Sequence, residues 1–324
     1  MTKRVRVAAV QCTSLIGAGE RNLENASGFV RDAAERGAGL ILCPEFLAAG
    51  YIYEETIWDA GEPATTGRTE RWLADHASEL GALVGATYLE AEDDDFYNTF
   101  ALYGPDGVVG RVRKQALPAF EGWYFRPCPR PKVIETPLGR VGVGICQDNH
   151  TRRFLDHVTG LRPDLILMPH SAPSIDLPLG PLGAKLFDRQ LDAIAPRFAE
   201  ALGVPVVLSN KVSLTPFRMP IPIAPRIRVP MRFHGYSRIV DGDGVSKARL
   251  VDREGALVAD VTLDAARKRT PEVPESGYWS FGPGLLSAPV GRLLETLDAM
   301  GQRRYRENPR RAARARSAAT RSVG

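Results

Sequence analysis

Residues 39–45 read GLILCPE, in which four apolar residues in succession are followed by a proline and Glu45. A short apolar run without alternation predicts a strand that is buried on both faces, as in a parallel sheet. Upstream, Val5, Val7 and Ala9 alternate as in a first strand, and apolar residues at helical spacing over 22–33 predict a helix between the two strands. This order of strand, helix and strand predicts an α/β fold.

The alternation of strands and helices continues along the chain. The turn signal Gly-Pro-Asp-Gly at 104–107 predicts a hairpin. Further strands are predicted at 82–88, 98–103, 108–112, 140–146, 165–168, 204–208, 236–240 and 257–261, and further helices at 69–80, 151–159 and 183–202. Because the sequence shows no fixed-period repeat and no clear linker, we interpret residues 1–275 as one domain and residues 276–324 as a C-terminal arm.

The bulk composition is that of a globular protein with a substantial core, with 44% hydrophobic and 25% charged residues. The sequence contains no apolar run near the ~18 residues that a membrane span needs. It begins MTKRVRVAAVQC, without the apolar core of a signal peptide. Its four cysteines are far apart, which argues against a disulfide scaffold or a zinc site. These features predict a cytoplasmic protein without a membrane partner.

The net charge of +4 is unevenly distributed. Residues 302–324 contain eight arginines and one acid, whereas the rest of the chain has 34 basic and 37 acidic residues. A basic tail of this kind can bind nucleic acid, a membrane or an acidic partner. The simpler interpretation is a solvated or disordered end, and we do not expect nucleic acid as a partner.

Three chemically active residues lie at or just beyond the ends of predicted strands. Glu45 follows GLILCP, Lys114 follows VVGRVR, and Cys146 ends RVGVGIC. In open α/β sheets the carboxyl ends of the strands line the crevice where ligands bind. We therefore expect these side chains to converge on one site although they are far apart in sequence.

The order of Glu, Lys and Cys at strand ends resembles the nitrilase (carbon–nitrogen hydrolase) superfamily over roughly residues 5–261. GLILCPEF resembles the segment with the family's general base, and FEGWYFRP places Glu121 where the family has a second glutamate. Three more segments match in order, namely YNTFALYGPDGVVGRVRKQAL at the lysine, LGRVGVGICQDN at the nucleophile, and FHGYSRIVDGDG at a late strand and turn.

The resemblance implies a four-layer α-β-β-α sandwich and a reaction that needs no metal or organic cofactor. Cys146 would attack a carbon–nitrogen group, Glu45 would accept the thiol proton, and Lys114 would stabilise the negative charge that develops. The backbone N–H of Gln147 would assist Lys114. Glu121 would orient the substrate's amino group or share the proton transfer.

The segment after Cys146 bears on the substrate. Asp148 is similar to the amide-cleaving members, because nitrile-cleaving members usually have Trp-Glu at these two positions. Gln147 fits neither pattern, and the usual Pro-Glu pair further on is missing. The resemblance therefore favours an amide or N-carbamoyl substrate over a nitrile. The residues expected to contact the substrate are Gln147, Asp148, Asn149, His170 and Tyr51.

Other interpretations remain open. A cysteine at the end of a buried strand is usually a small core residue, and Cys12, Cys43 and Cys128 keep that interpretation. A Cys–His protease pairing with His150 would leave Glu45 unexplained. A soluble acyltransferase would pass the same thioester to an amine, and a catalytically silent binding protein could use the same fold.

Residues 213–235 contain five prolines and four arginines and are predicted to form an irregular loop. The loop would be either a stiff rim over the pocket or a surface excursion. Arginine binds carboxylate through two parallel hydrogen bonds. If Arg226, Arg228 or Arg232 points inward, we expect a substrate that carries a carboxylate or another anion.

The resemblance also implies a homodimer or larger homo-oligomer, since family members usually pair through their helical faces. In the C-terminal arm, Leu293, Leu294 and Leu297 recur at helical spacing. This apolar stripe would suit either a contact between subunits or packing against its own domain.

Overall fold

The computed structural model of the protein describes residues 2–130, 132–175, 181–281 and 288–321. Its strands are β1 (Thr2–Gln11), β2 (Leu40–Leu42), β3 (Leu83–Glu92), β4 (Asp95–Gly104), β5 (Gly107–Arg113), β6 (Val133–Thr136), β7 (Gly139–Val143), β8 (Leu165–Pro169), β9 (Ser174–Ile175), β10 (Val206–Ser209), β11 (Phe217–Ile221), β12 (Ala224–Arg232), β13 (Gly235–Val240), β14 (Ser246–Val251) and β15 (Gly255–Asp264). Its α-helices are α1 (Gly19–Glu35), α2 (Arg68–Leu80), α3 (Arg152–Leu161), α4 (Pro181–Leu202), α5 (Ala288–Glu307) and α6 (Pro309–Ala319). None of these helices combines the length and apolar character needed to cross a membrane.

Two six-stranded sheets form the centre of the molecule. Their strand orders are β15-β1-β2-β3-β4-β5 and β14-β13-β10-β8-β7-β6. In the first sheet β2 is parallel to β1 and β3, and in the second β8 is parallel to β7 and β10. Helices α1 and α2 pack on the outside of the first sheet, and α3 and α4 pack on the outside of the second. The layers are helix, sheet, sheet and helix, which confirms the predicted four-layer sandwich.

Alternation within β2 shows how the sequence produces these layers. Leu40 and Leu42 point into the core between the sheets, whereas Ile41 points outward to the helices α1 and α2. All three side chains are fully buried. A strand covered on both faces has no solvent side, so its sequence is apolar at every position. The run LIL therefore fixes β2 at the centre of its sheet.

The prediction of an irregular loop over 213–235 was wrong. Strands β11 and β12 form an antiparallel hairpin there, and β9 pairs with the end of β12. Prolines argue against a strand because they lack the backbone N–H that a ladder needs. They are tolerated here because most of β12 pairs only with β11. The hairpin packs through Phe217, Met219 and Phe233 onto an aromatic cluster that includes Tyr51.

The arginine-rich tail from residue 302 also differs from its predicted solvated or disordered state. Helices α5 and α6 pack on the body and bury Tyr305, Ala315 and Ala318. The tail's arginines form ion pairs with carboxylates of the body. These pairs are Arg310 with Glu55, Arg311 with Asp95, Arg314 with Asp59, and Arg316 with Asp94. The basic charge of these residues is thus largely matched within the chain.

Candidate active site

Glu45, Lys114 and Glu121 form a charged cluster with almost no solvent exposure, at 0%, 1% and 0% respectively. The Lys114 Nζ donates to Glu45 Oε1 at 2.8 Å and to the two oxygens of Glu121 at 3.0 and 2.8 Å. Buried charges persist in proteins when they are paired and hydrogen-bonded. Cys146 interacts electrostatically with all three groups. The predicted strand-end residues therefore lie together.

The turn after β2 holds Glu45 by backbone and side-chain contacts. The Glu45 N–H donates to the carbonyl of His170, and Asn98 Nδ2 donates to Glu45 Oε1 at 2.7 Å. Phe46 follows with a φ of 50°, a left-handed conformation that non-glycine residues rarely adopt. The other carboxylate oxygen, Glu45 Oε2, is buried and has no hydrogen-bond partner among the described residues. Glu45 thus keeps one free oxygen that can accept a proton.

Cys146 lies at a sharp turn between β7 and a short 3₁₀ helix, Cys146–His150. Its φ is 48°, so the nucleophile candidate occupies a strained left-handed conformation. Asn149 Nδ2 donates to the carbonyl of Gly144 at 2.8 Å and to that of Cys146 at 3.2 Å. Asp148 accepts the Ile145 N–H at 3.2 Å. These contacts hold the strained turn in place.

We expect Gly144→Ala to disrupt this turn. A Cβ at Gly144 would lie 1.9 Å from Asn149 Oδ1 and 2.6 Å from Phe154 Cζ, so the Asn149 brace has to move. Overpacking of this kind typically costs about 1–3 kcal/mol of stability. Urea unfolding measures the loss. Gly142→Ala is the matched control, since its nearest atoms lie at an ordinary 3.4 Å. Equal stability of the two variants would contradict the assigned role of the Asn149 brace.

The electrostatic environment keeps the resting thiol protonated. Burial raises the pKa of Cys146 well above its ordinary value, Glu45 raises it further, and Lys114 opposes the rise. Burial alone would lower the pKa of Lys114, but Glu121 and Glu45 together raise it well above its ordinary value. Lys114 therefore stays charged, and the thiol would need a base in order to act as a nucleophile.

Glu121 lies in a short 3₁₀ turn, Glu121–Trp123, and accepts a hydrogen bond from the hydroxyl of Tyr51 at 2.7 Å. Burial raises the pKa of Glu121 to about 7, while the charge of Lys114 opposes this rise and that of Glu45 adds to it. At neutral pH this carboxyl group is close to its own titration point, so it can hold or release a proton.

Glu121→Gln should flatten the dependence of stability on pH. The folded-state pKa of about 7 lies above the ordinary glutamate value of 4.5, so between these pH values the folded protein binds the proton more tightly than the unfolded chain. Stability due to this group is complete below pH 4.5 and is lost as pH rises through 7, by up to about 3 kcal/mol.

Urea unfolding of wild type and Glu121→Gln at several pH values tests this expectation. The wild type should lose more stability than the variant between pH 4.5 and pH 7, the values that bound the shift. Below that pH range the free energies of unfolding of the wild type and the variant should change with pH at the same rate, which provides the internal control. Parallel curves throughout would exclude a raised pKa for Glu121.

Three residues that are expected to contact the substrate, Asp148, Asn149 and His170, also contact protein groups around the site. Asp148 Oδ1 accepts the N–H groups of Gln115 and Ala116, and its Oδ2 faces Ile145 N and Lys132. Protein groups thus contact both oxygens of Asp148, and its contact with substrate stays a prediction. The Nδ2 of Asn149 donates to two carbonyls of its own turn, whereas its buried Oδ1 has no hydrogen-bond partner among the described residues.

His170 is fully buried, and its Nε2 lies 2.9 Å from Asn149 Nδ2. Burial, assisted by the nearby His150 and Lys114, lowers the pKa of His170 well below its ordinary value. This neutral, enclosed imidazole contacts Asn149 through Nε2, and its Nδ1 has no hydrogen-bond partner among the described residues, so its contact with substrate stays a prediction. Burial likewise lowers the pKa of His150 to about 4, and its Nδ1 contacts Gln190. His150 therefore contacts Gln190 and does not form a protease-like pair with Cys146.

The other two candidate residues lie closer to the reacting groups. The hydroxyl of Tyr51 donates to Glu121, as described above. The Gln147 side chain donates to the Tyr278 hydroxyl at 3.0 Å, and its backbone N–H directly follows Cys146. The structure brings both residues next to the cluster, and their contact with substrate stays a prediction.

The arginines of the hairpin do not support an anionic substrate. Arg228 pairs with Glu54 at 2.6 Å near the surface, and the side chain of Arg226 is exposed. Arg232 donates weakly to the backbone carbonyls of Ser213 and Leu214 at 3.4 Å. The hypothesis that one of them points inward to a substrate carboxylate therefore has no support in these contacts.

Two residues next to Glu45 and Phe46 were not predicted from the sequence to belong to the site. Asn98 holds Glu45, and Lys211 Nζ donates to the carbonyl of Phe46 at 3.0 Å. Burial lowers the pKa of Lys211 to about 7 against the raising effect of Glu45. The sequence signal that could have identified Lys211 is its position, because Lys211 follows β10 just as Glu45 follows β2. A lone lysine after a strand nevertheless normally indicates an exposed cation.

The sequence matches a family model described as carbon–nitrogen hydrolase over residues 6–270. An N-carbamoylputrescine amidase of Solanum tuberosum is 27% identical over 284 residues, which cover 82% of this chain and 88% of that protein. A nitrilase of Pyrococcus abyssi is 31% identical over 147 residues, which cover 44% of this chain and 56% of that protein. The shorter match thus spans only about half of the nitrilase.

Solved structures show the same fold. A carbon–nitrogen hydrolase from Helicobacter pylori G27 superposes with a TM-score of 0.70 at 16% identity, covering 95% of this chain and 96% of that chain. A mutant amidase from Nesterenkonia sp. AN1 has a TM-score of 0.65 at 19% identity, covering 79% and 90%. In that structure the acetamide moiety of fluoroacetamide is covalently added at the active site cysteine. By its sequence match and its four-layer fold, this chain belongs to the carbon–nitrogen hydrolase family of the nitrilase superfamily.

Proposed function

We propose that this protein hydrolyses the carbon–nitrogen bond of an amide or N-carbamoyl compound through a thioester on Cys146. The observation that carries the proposal is the free oxygen of Glu45. In a cluster where Glu45 Oε1 and both oxygens of Glu121 are hydrogen-bonded, Glu45 Oε2 alone lacks a partner among the described residues. A buried, unpartnered carboxylate oxygen beside a protonated thiol fits a general base.

In the first half-reaction Glu45 accepts the proton of Cys146 as the sulfur forms a bond to the carbonyl carbon. The electron pair of the carbonyl moves to oxygen, where negative charge develops. Lys114 and the backbone N–H of Gln147 stabilise that charge, an effect worth about 2.7–4 kcal/mol for one donor. The carbon–nitrogen bond then breaks while Glu45 returns its proton to the departing nitrogen, and a thioester remains on Cys146.

In the second half-reaction water replaces the departed amine or ammonia. Glu45 accepts a proton from the water as its oxygen attacks the thioester carbon. The carbon–sulfur bond breaks, the thiol is restored with the proton that Glu45 carried, and the acid leaves. Glu121 stays hydrogen-bonded to Lys114 and Tyr51, which keeps the ammonium group aimed at the developing oxyanion.

Two lines of support favour an amide or N-carbamoyl group over a nitrile. The match to the N-carbamoylputrescine amidase covers 88% of that protein, whereas the match to the nitrilase covers 56%. Asp148 also stands where the family's amide-cleaving members have Asp. In this chain Asp148 joins the nucleophile turn to the segment after Lys114, so it fixes the spacing between the thiol and the ammonium group.

A substrate panel with two readouts tests the proposal. Purified protein is incubated with primary amides, N-carbamoyl compounds and nitriles, ammonia is measured, and intact mass is used to find an adduct on Cys146. We expect ammonia from the amide or N-carbamoyl group and a transient acyl mass on the wild type. If the protein is folded but shows neither turnover nor an adduct, the result would favour a catalytically silent binding protein. Release of the acyl group only to an added amine would favour a transferase.

The proposal extends to a homo-oligomer. Leu293 on α5 is 56% exposed, whereas Leu294 lines a crevice beside Gln115 and Ala116. One side of the apolar stripe thus packs toward the body and another stays free for a second copy. Light scattering measures the mass of the assembly, and we expect the Leu293→Glu variant to form a smaller assembly than the wild type. An unchanged mass would exclude Leu293 from the contact.

A further inference from the structure

The turn that carries Glu121 rests on a helix of the C-terminal arm. Gln302 of α5 donates from Nε2 to the carbonyl of Gly122 at 3.2 Å and to that of Phe125 at 3.1 Å. Both carbonyls lie within or directly beyond the short 3₁₀ turn Glu121–Trp123. One side chain thus binds a backbone acceptor within this turn and another just after it.

Backbone packing at two glycines brings the helix and the turn together. A Cβ at Gly301 would lie 2.4 Å from Trp123 Cδ1 and 2.8 Å from the backbone carbon of Gly122. A Cβ at Gly122 would lie 2.6 Å from Asp298 Oδ1. Real Cβ contacts do not reach these distances, so the close approach requires glycine on both sides. The Arg304 guanidinium also lies over the Trp123 ring, 5.0 Å from its centroid.

The arm is also fixed to the body on the C-terminal side of this contact. The Phe96 N–H donates to the Tyr305 hydroxyl at 2.8 Å, and Tyr305 is 1% exposed. Beyond it, the ion pairs of α6 with Asp59, Asp94 and Asp95 attach the end of the chain. The arm lies outside residues 6–270, which match the family model. Its contact with the Glu121 turn is therefore an addition to the matched domain.

We infer that α5 positions Glu121 against Lys114, with Gln302 and Gly301 acting as positioning residues for the reaction. The inference rests on the proposed function of the Glu45, Lys114 and Cys146 cluster. The Glu121 turn is only three residues long, so its carbonyls and the Glu121 side chain move together. If α5 lets the turn shift, the two hydrogen bonds from Lys114 Nζ to Glu121 lengthen. A displacement of about 1 Å in a positioned group can cost about a hundredfold in rate.

Gln302→Met tests the inference, because it keeps the length of the side chain and removes its two donor bonds. We expect kcat to fall by about ten- to a hundredfold, with KM changed far less. In a Glu121→Gln background the same substitution should have no further effect, since the group that it positions is already lost. Arg303→Ala, an exposed change on the same helix, is the matched control and should leave kcat unchanged.

The rate of Cys146 alkylation by iodoacetamide gives a second readout that needs no turnover. The Glu121 carboxylate contributes to the raised pKa of the thiol. Glu121→Gln should therefore move the pH midpoint of alkylation downward, and Gln302→Met should move it in the same direction by less. The inference would be overturned if Gln302→Met had equal effects in the wild-type and Glu121→Gln backgrounds. It would also be overturned if Gln302→Met changed neither kcat nor the pH midpoint of Cys146 alkylation. Absence of turnover in the wild type would instead contradict the proposed function, and the alkylation series would still decide the role of α5.

Discussion

Cys146→Ala is expected to reduce amide or N-carbamoyl turnover to background, a loss on the order of a millionfold in kcat. The reason is specific to the thioester route, because without sulfur there is no atom to form the covalent bond. Lys114 and Glu45 stay in place in this variant, since their hydrogen bonds do not involve Cys146. Substrate should still bind, so KM or a measured Kd should change little while the acyl mass on the protein disappears.

A matched substitution separates the loss of chemistry from the loss of a buried side chain. Cys43 is also fully buried, but it packs on the outer face of the first sheet among the residues that contact α1 and α2. Cys43→Ala and Cys146→Ala should both cost about 1 kcal/mol or less of stability, since each removes one buried sulfur. Only Cys146→Ala should stop turnover. Turnover that survives Cys146→Ala would exclude the thioester mechanism.

The position of the reactive residues could be predicted because it follows from topology. Parallel strands of these sheets run side by side, so the residues that follow β2, β7, β8 and β10 arrive at one region. Glu45 and Cys146 are two of these residues, and the backbone contact from Glu45 to His170 joins the two sheets there. The spacing of strands and turns in the sequence contains this information.

The roles of the neighbouring residues could not be predicted in the same way. Asp148, Asn149 and His170 also follow strands of the second sheet, which made them reasonable candidates for substrate contact. Whether a side chain faces the pocket or its own turn depends on the local backbone, and Cys146 has a positive φ that its residue type does not predict. In the structure Asp148 and Asn149 hydrogen-bond to buried backbone groups, and His170 contacts the side chain of Asn149. Sequence order alone does not specify that choice.

The hairpin and the arm show how composition can hide structure. In β11 and β12 the prolines hide a strand signal, although Met219 and Phe233 have buried side chains. In the tail the arginines suggest a solvated segment, but the alanines and Tyr305 between them form a buried face. A charged helix can pack when its apolar face meets the body and its cations meet nearby carboxylates. The partners of those charges become visible only in three dimensions.

Glu45→Gln is expected to lower kcat by about 10²–10⁴-fold, the range for loss of a general base. The substitution preserves most of the geometry. The amide oxygen of glutamine can keep the hydrogen bonds from Asn98 and Lys114 that Glu45 Oε1 accepts now, and its NH₂ group would occupy the place of the free Oε2. That NH₂ group cannot take a proton from Cys146, so the thiol remains protonated in its buried environment.

Because the proposed mechanism uses Glu45 in both half-reactions, the loss of its carboxylate should also change the lifetime of the thioester intermediate. Any acyl mass that forms on the Cys146 of Glu45→Gln should persist for longer than in the wild type, since water lacks its base. Time-resolved intact mass measures this persistence. Glu62→Gln is the matched control, because Glu62 is a buried carboxylate that binds Thr69 and Arg68 away from the cluster. It should lower stability without changing the lifetime of the adduct. An acyl mass that decays at the wild-type rate in Glu45→Gln would assign the activation of water to another group, and Glu121 is the nearest carboxylate that could take that role.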